Sequence, residues 1–151
     1  MRRKDKEIAD RAEMESIIRE STICRLALAD NEQPYIVPLS FGYKDNALYF
    51  HSAAEGKKID ILRKNKNVCF EFDVGSEIKT GKTACEWGMK YRSVIGFGNA
   101  SFLEDPDSKQ AALDIIMHQY SDETFAYSEK ILKKTLVIKV EITHMTGKQS
   151  S

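Results

Sequence analysis

The chain has 151 residues, enough for one domain with an ordinary core and too few for a comfortable second. Apolar residues make up 42% and charged residues 30%, the profile of a soluble globular protein. Lys plus Arg and Asp plus Glu balance at 23 each, which excludes an overall field drawing the chain to nucleic acid or anionic lipid, so any anion site has to be local.

The N-terminus, "MRRKDKEIAD", leads into no signal-peptide hydrophobic core, and no apolar run reaches the length of a membrane span. Its basic residues are interleaved with Asp5 and Glu7, so a solvated, frayed terminus is expected. Over residues 8–20, Met14, Ile17 and Ile18 fall at the i, i+3, i+4 spacing of an amphipathic helix, with Asp10 as its N-cap. "TICRLALAD" then switches to period two, with Cys24, Leu26 and Leu28 on one face of a strand. "DNEQP" is a turn, "YIVPLSFGY" a second strand, "KDNA" a tight hairpin turn and "LYFHS" a third strand. Pro38 removes a ladder donor and places the second strand at an edge or a bulge.

After "AAEG" a short helix carries Ile59 and Leu62 and ends near Asn65. "NVCFEFDV" is a strand, "GSEIKTGKT" a polar loop, and "ACEWGMKYRSVIGFGNASFLE" one or two further strands. The glycines at 88, 96 and 98 predict bulges, curvature or the close approach of another group. "DPDSKQAALDIIMHQY" is a helix with Asp105 before Pro106 at its start, and "TLVIKVEITHMTG" closes the chain as a strand. About six strands with few helices predict a closed or nearly closed antiparallel barrel. One domain covers 1–151, with an N-terminal arm and helix over 1–20 and a peripheral helix over 105–120.

Several familiar motifs fail on spacing. Between Gly75 and Gly81-Lys82-Thr83 stand five residues where a phosphate-binding loop needs four, and no helical stripe follows. "GFGNA" lacks the third glycine of a dinucleotide fingerprint. His51, His118 and His144 show no metal-ligand spacing, so no metal is expected. Cys24, Cys69 and Cys85 are odd in number and far apart, which argues against a disulfide framework and for a reducing, cytoplasmic setting.

One stretch resists a bland reading. "HSAAEGKK" sets Lys57 and Lys58 at the positive end of a helix, where lysine is disfavoured by a few tenths of a kcal/mol unless an anion binds. Ser52 offers a hydroxyl, and Arg92 of "KYRSVIGFG" offers a planar fork of donors for the same phosphate. The plainer alternatives are a solvated basic turn and a surface ion pair.

The Val-Pro strand, the Phe-His-Ser strand end and the Gly-Lys-Lys helix start, with "KYRSVIGFGNASFLED" and "ITHMTGKQS", resemble the flavin-binding split barrels related to pyridoxamine 5′-phosphate oxidase. The likeness is greatest to the nitroimidazole-resistance-like branch. It implies a mainly β fold, a six-stranded antiparallel split barrel with a few peripheral helices. It implies a homodimer with FMN at the subunit interface and no nucleic-acid or membrane partner. Val37, Pro38, Leu39 and Ser40 would run beside the flavin ring, and His51 and Ser52 would border ring and ribityl chain. Lys57 and Lys58 would bind the phosphate, completed by Arg92 and Ser93 from either subunit, and His51 would be the catalytic candidate. The implied function is an FMN-dependent oxidoreductase acting on a small, nitroaromatic-type acceptor. The alternatives are a non-catalytic flavin-storage protein or a split barrel using deazaflavin or haem. The sequence ends soon after "TGKQSS", without the arginine-bearing segment that grips substrate phosphate in the authentic oxidases, which argues against vitamin B6 oxidation.

Overall fold

A computed structural model describes all residues, 1–151. Local chemistry sets most boundaries. The Asp10 carboxylate accepts from the Ala12 amide and caps α1 (Arg11–Glu20), which buries Met14, Ile17 and Ile18. The strands β2 (Cys24–Asp30) and β3 (Gln33–Leu39) form a hairpin, with Cys24, Leu26 and Leu28 facing inward. A second hairpin joins β4 (Gly42–Lys44) to β5 (Ala47–Ala53). Asp45 and Asn46 both take positive φ there, 49° and 61°, the demand of a two-residue primed turn. Next come α2 (Lys57–Lys64), β6 (Asn67–Lys79) and β7 (Gly88–Leu103). Asp105 caps α3 (Pro106–His118) by accepting from the Ser108 amide, and α4 (Glu129–Lys134) leads into β8 (Thr135–Ser150).

All pairings are antiparallel, in the order β3-β2-β6-β7-β8-β5-β4, with β1 (Glu7–Ile8) added against β8. The sheet curls around a core of 22 buried residues that includes Phe41, Phe50, Phe70 and Phe72. A smaller cluster of Ala112, Leu113, Ile116, Leu132 and Val137 packs α3 and α4 onto the outside. The barrel is split. Strand β3 has no partner on its outer side, and neither do residues 50–53 of β5, beyond the end of β4. The edge position expected for Pro38 is the observed one.

Three details differ from expectation. There are eight strands rather than six, because β1 is extra and the expected second strand breaks at Ser40–Phe41. At that break the Phe41 amide donates to the Tyr120 hydroxyl (3.0 Å), which in turn donates to the Thr22 carbonyl (2.8 Å), so a tertiary bond replaces a ladder bond. The N-terminus is docked rather than frayed: Ile8 is buried and the Lys6 ammonium donates to Ser150 Oγ at 3.0 Å. The expected polar loop after Val74 continues as strand past a register shift and forms a two-stranded arm with the start of β7.

Of the three glycines singled out in the sequence, Gly96 and Gly98 are close approaches and Gly88 is not. A Cβ on Gly96 would lie 2.2 Å from Phe70 Cζ, and one on Gly42 only 2.6 Å from the Ile116 backbone nitrogen. Phe70 can shift slightly, whereas the α3 backbone cannot. Gly42→Ala is therefore expected to cost about 3 kcal/mol, the upper range for overpacking. Gly88→Ala, with nothing within 4 Å of its Cβ position, should be nearly neutral. Urea denaturation checks this: the midpoint should fall for Gly42→Ala at unchanged slope and stay for Gly88→Ala.

Candidate functional site

Helix α2 begins three residues after β5, at the end of the split. Gly56 precedes it with φ of 135°, a conformation open to glycine, and makes no side-chain cap. The Ile59 and Asp60 amides donate to the Gly56 carbonyl at 3.0 and 3.1 Å, but the amides of Gly56, Lys57 and Lys58 have no partner in the protein. Three free donors thus sit at the positive end of the helix.

Two cations stand at the same point, and although Asp60 shares the first turn, neither forms an ion pair. Lys58 is half-buried, and burial alone pulls its ammonium below the ordinary lysine range. Lys57 is exposed, with its Nζ 4.7 Å from the centroid of the Tyr35 ring on β3. Neither lysine takes part in any of the eight salt bridges. The Tyr35 contact ties the head of α2 to one lip of the split, while the chain itself ties it to the other.

The remaining sequence-predicted residues divide by strand alternation. On β3, Val37 and Leu39 are half-buried against the core, while Pro38 and, just past the strand, Ser40 are exposed. On β5, Ser52 is half-buried and His51, its neighbour on the opposite face, is exposed. Val37, Pro38, Leu39, Ser40, His51, Ser52, Lys57 and Lys58 therefore all lie along the two lips and their closed end. Arg92 and Ser93 do not. Arg63 of α2 lies over the Phe102 ring of β7, and Arg92 is ten residues back along that strand, roughly 33 Å of contour at about 3.3 Å per residue. Arg92 donates to Glu20 at the end of α1 (2.7 Å), and Ser93 pairs with Asp73 and Lys148 on neighbouring strands.

The principal concavities of the single chain lie elsewhere. One of about 190 Å³ between α3 and α4 is lined by Glu104, Lys109, Leu132 and Lys133. The cationic rim is an open ledge. No local pattern marks Tyr35 as a support for Lys57, since a cation over a ring depends on tertiary placement. All three cysteines are free, and burial raises the Cys24 and Cys69 thiols above the usual range, which disfavours thiolate chemistry at those two. The Arg25 guanidinium on the outer face of β2 bridges Glu71 (3.1 Å) and Asp73 (2.5 Å); burial, then the Asp73 charge, pushes the Glu71 carboxyl up.

The fold is shared with known proteins. The family profile described as pyridoxamine 5′-phosphate oxidase matches residues 10–149, and the chain belongs to that family. It is 39% identical, with a TM-score of 0.86, to a candidate 5-nitroimidazole antibiotic resistance protein from Bacteroides thetaiotaomicron VPI-5482, covering 95% of this chain and 86% of that one. A FAD-binding protein from Mesorhizobium loti is 25% identical at a TM-score of 0.69, over 94% and 96% of the two chains. The flavocytochrome Anf3 from Azotobacter vinelandii, at 17% identity and a TM-score of 0.88 over 100% of this chain and 72% of that one, shares the fold. A curated relative, uncharacterized protein RA0666 of Rhizobium meliloti (strain 1021), is 34% identical over 64 residues, 42% of each protein, so the match spans less than half of that relative.

The unpaired Lys58 has a consequence for stability. Its folded-state pKa lies below the unfolded value, so at neutral pH both states are charged and the burial cost is fully present. As pH rises through the lowered pKa the folded state loses its proton first, and stability increases. Lys58→Met is expected to raise stability near pH 7, by less than about 1 kcal/mol because solvent still screens the ammonium. It should also flatten the gain that the wild type shows as pH rises toward the ordinary lysine range, as read by thermal melts along that rise.

Proposed function

We propose that the protein is an FMN-binding flavoprotein, an oxidoreductase passing electrons to a small aromatic acceptor. One observation carries the reading: two uncompensated lysines and three unpaired amides converge on the start of α2, which matches what a phosphate monoester needs. A phosphate of nearly two negative charges accepts several charge-assisted bonds, and Ser52 adds a hydroxyl. The flavin, when bound, supplies the redox chemistry itself.

The chain's own residues would bind and orient. Lys57 and Lys58 hold the phosphate, and Tyr35 steadies Lys57. The β3 lip, Val37 to Ser40, and the β5 lip at His51 and Ser52 flank the ring. Pro38 lacks an N–H, so that stretch of the lip offers carbonyls and the Ser40 hydroxyl to the ring edge. His51 faces solvent at the β5 lip, where an entering acceptor can exchange a proton with it. The nitroaromatic class of acceptor is supported by the 39% identity to the candidate nitroimidazole resistance protein.

A second copy of the chain completes this picture. Ile36, Ala27, Cys69 and Phe97 form one cross-strand row on the outer face of the sheet, and Ile36 and Phe97 are more than half exposed. Such a face is typical of an interface, and a homodimer built on it would turn the open ledge into a slot. No helix is long and apolar enough to cross a membrane, and the three free cysteines suit a cytoplasmic setting.

Replacing Lys57 and Lys58 together by Ala is expected to weaken FMN binding by roughly 2–4 kcal/mol, measured by fluorescence titration. Equal affinity in the two proteins would refute the phosphate placement. His51→Ala should retain bound flavin and change the rate of acceptor reduction in stopped-flow assays; loss of flavin would make it a binding residue instead.

A further inference from the structure

The break between β3 and β4 sets one free residue beside one that is locked. Ser40 is exposed, and neither its backbone amide nor its carbonyl has a partner in the protein. Phe41, the next residue, is fully buried, with its ring 4.8 Å from that of Phe72 and edge-on to that of Tyr120 at 6.4 Å. Its amide donates to the Tyr120 hydroxyl at 3.0 Å, across 79 positions of sequence. That hydroxyl donates onward to the Thr22 carbonyl at 2.8 Å. Amide, hydroxyl and carbonyl are linked in one sense, so each bond polarises the next.

A buried amide at a strand break needs an acceptor, but a nearby side chain or a water would serve. Tyr120 adds a rigid support. It follows α3, whose backbone lies so close to Gly42 that a Cβ would meet the Ile116 nitrogen at 2.6 Å. Gln119 beside it donates to the Arg19 and Ser21 carbonyls, which pins the same point to the end of α1. Peptide planarity then carries the constraint one group further. The Ser40 C=O and the Phe41 N–H belong to one trans peptide unit and point in opposite directions. With the N–H held on Tyr120, the Ser40 carbonyl is turned away from that support and left free on the exposed lip.

We infer that Tyr120 is a positioning residue, fixing the Ser40–Phe41 peptide so that the Ser40 carbonyl accepts the imide N–H of the flavin ring. The inference rests on the FMN reading above, and it concerns the ring, whereas the cations of α2 concern the phosphate. The imide offers one N–H between two carbonyls, and an acceptor held in a fixed direction selects for that proton.

FMN and N3-methyl-FMN differ only at that proton, and each is titrated by fluorescence into the unaltered protein, Tyr120→Phe and Tyr43→Phe. Tyr120→Phe keeps the ring on Phe41 and removes the hydroxyl alone. Tyr43→Phe is the control: it removes a hydroxyl that donates to Glu15 at 2.9 Å, away from the lip. The unaltered protein should prefer FMN at least about ten-fold, the effect of a hydrogen bond left unmade with its acceptor unsatisfied. Tyr120→Phe should bring that preference within about two-fold, and Tyr43→Phe should keep it. Two NMR readings on the unaltered protein stand apart from any variant. FMN should move the Ser40 carbonyl carbon resonance farther downfield than N3-methyl-FMN does. It should also slow hydrogen exchange at the Phe41 amide more, because the peptide is then bonded at both ends. An unchanged preference in folded Tyr120→Phe would overturn the positioning role. No preference in the unaltered protein, or NMR readings indifferent to the choice of ligand, would overturn the ring contact and leave the phosphate site standing. No FMN bound by the unaltered protein would remove the underlying reading and this inference with it.

Discussion

Two ammonium groups and three amide donors gathered without an ion pair set the terms for the rest of the molecule. Acidic residues are favoured at a helix start and lysines are not, yet the one acid in the first turn, Asp60, forms an ion pair with neither lysine. Here Gly56 supplies no side-chain cap, Lys58 is drawn below its ordinary range by burial, and no acid pairs with it. The local cost is small, a few tenths of a kcal/mol per group at an exposed helix end, but its direction is consistent across neighbouring residues. Consistent local penalties in an otherwise satisfied fold are the mark of a site.

The barrel exists in a form that keeps this site open. Closure of the sheet would pair β3 with β5 and hide both lips; instead β4 stops after three residues and leaves the end of β5 free. The break between β3 and β4 is held by Tyr120, whose hydroxyl joins the Phe41 amide to the Thr22 carbonyl. Gln119 beside it donates to the Arg19 and Ser21 carbonyls at 3.0 and 2.8 Å, so the end of α3 caps the end of α1. Gly42 lets α3 pack backbone to backbone on β4. The outer helices thus fix one lip of the split, which links packing on the far side of the sheet to the geometry of the cationic ledge.

What was legible in the sequence was local. The alternation of Cys24, Leu26 and Leu28, the caps at Asp10 and Asp105 and the edge placement of Pro38 all follow from interactions within a few residues. The glycines at 96 and 98 announced close approach but not the partner, because Phe70 and Val140 meet them across strands. The strand break at Ser40, the short helix α4 and the continuation of β6 into an arm were not legible, since each depends on contacts distant in sequence. Within the candidate site, the lysines and Ser52 were readable from one stretch, whereas the Tyr35 support was not. Arg92 matched in residue type, yet strand length carries it to the other end of the chain's own barrel.

Whether the start of α2 grips a phosphoryl group is read from calorimetric titration of the unaltered protein with riboflavin and with FMN. The two ligands share a ring and differ by the phosphate. FMN should bind at least about a hundred-fold more tightly, the worth of two or so charge-assisted bonds. Equal affinities would mean that the cofactor is held by its ring alone, and that the cations at 57 and 58 serve something else.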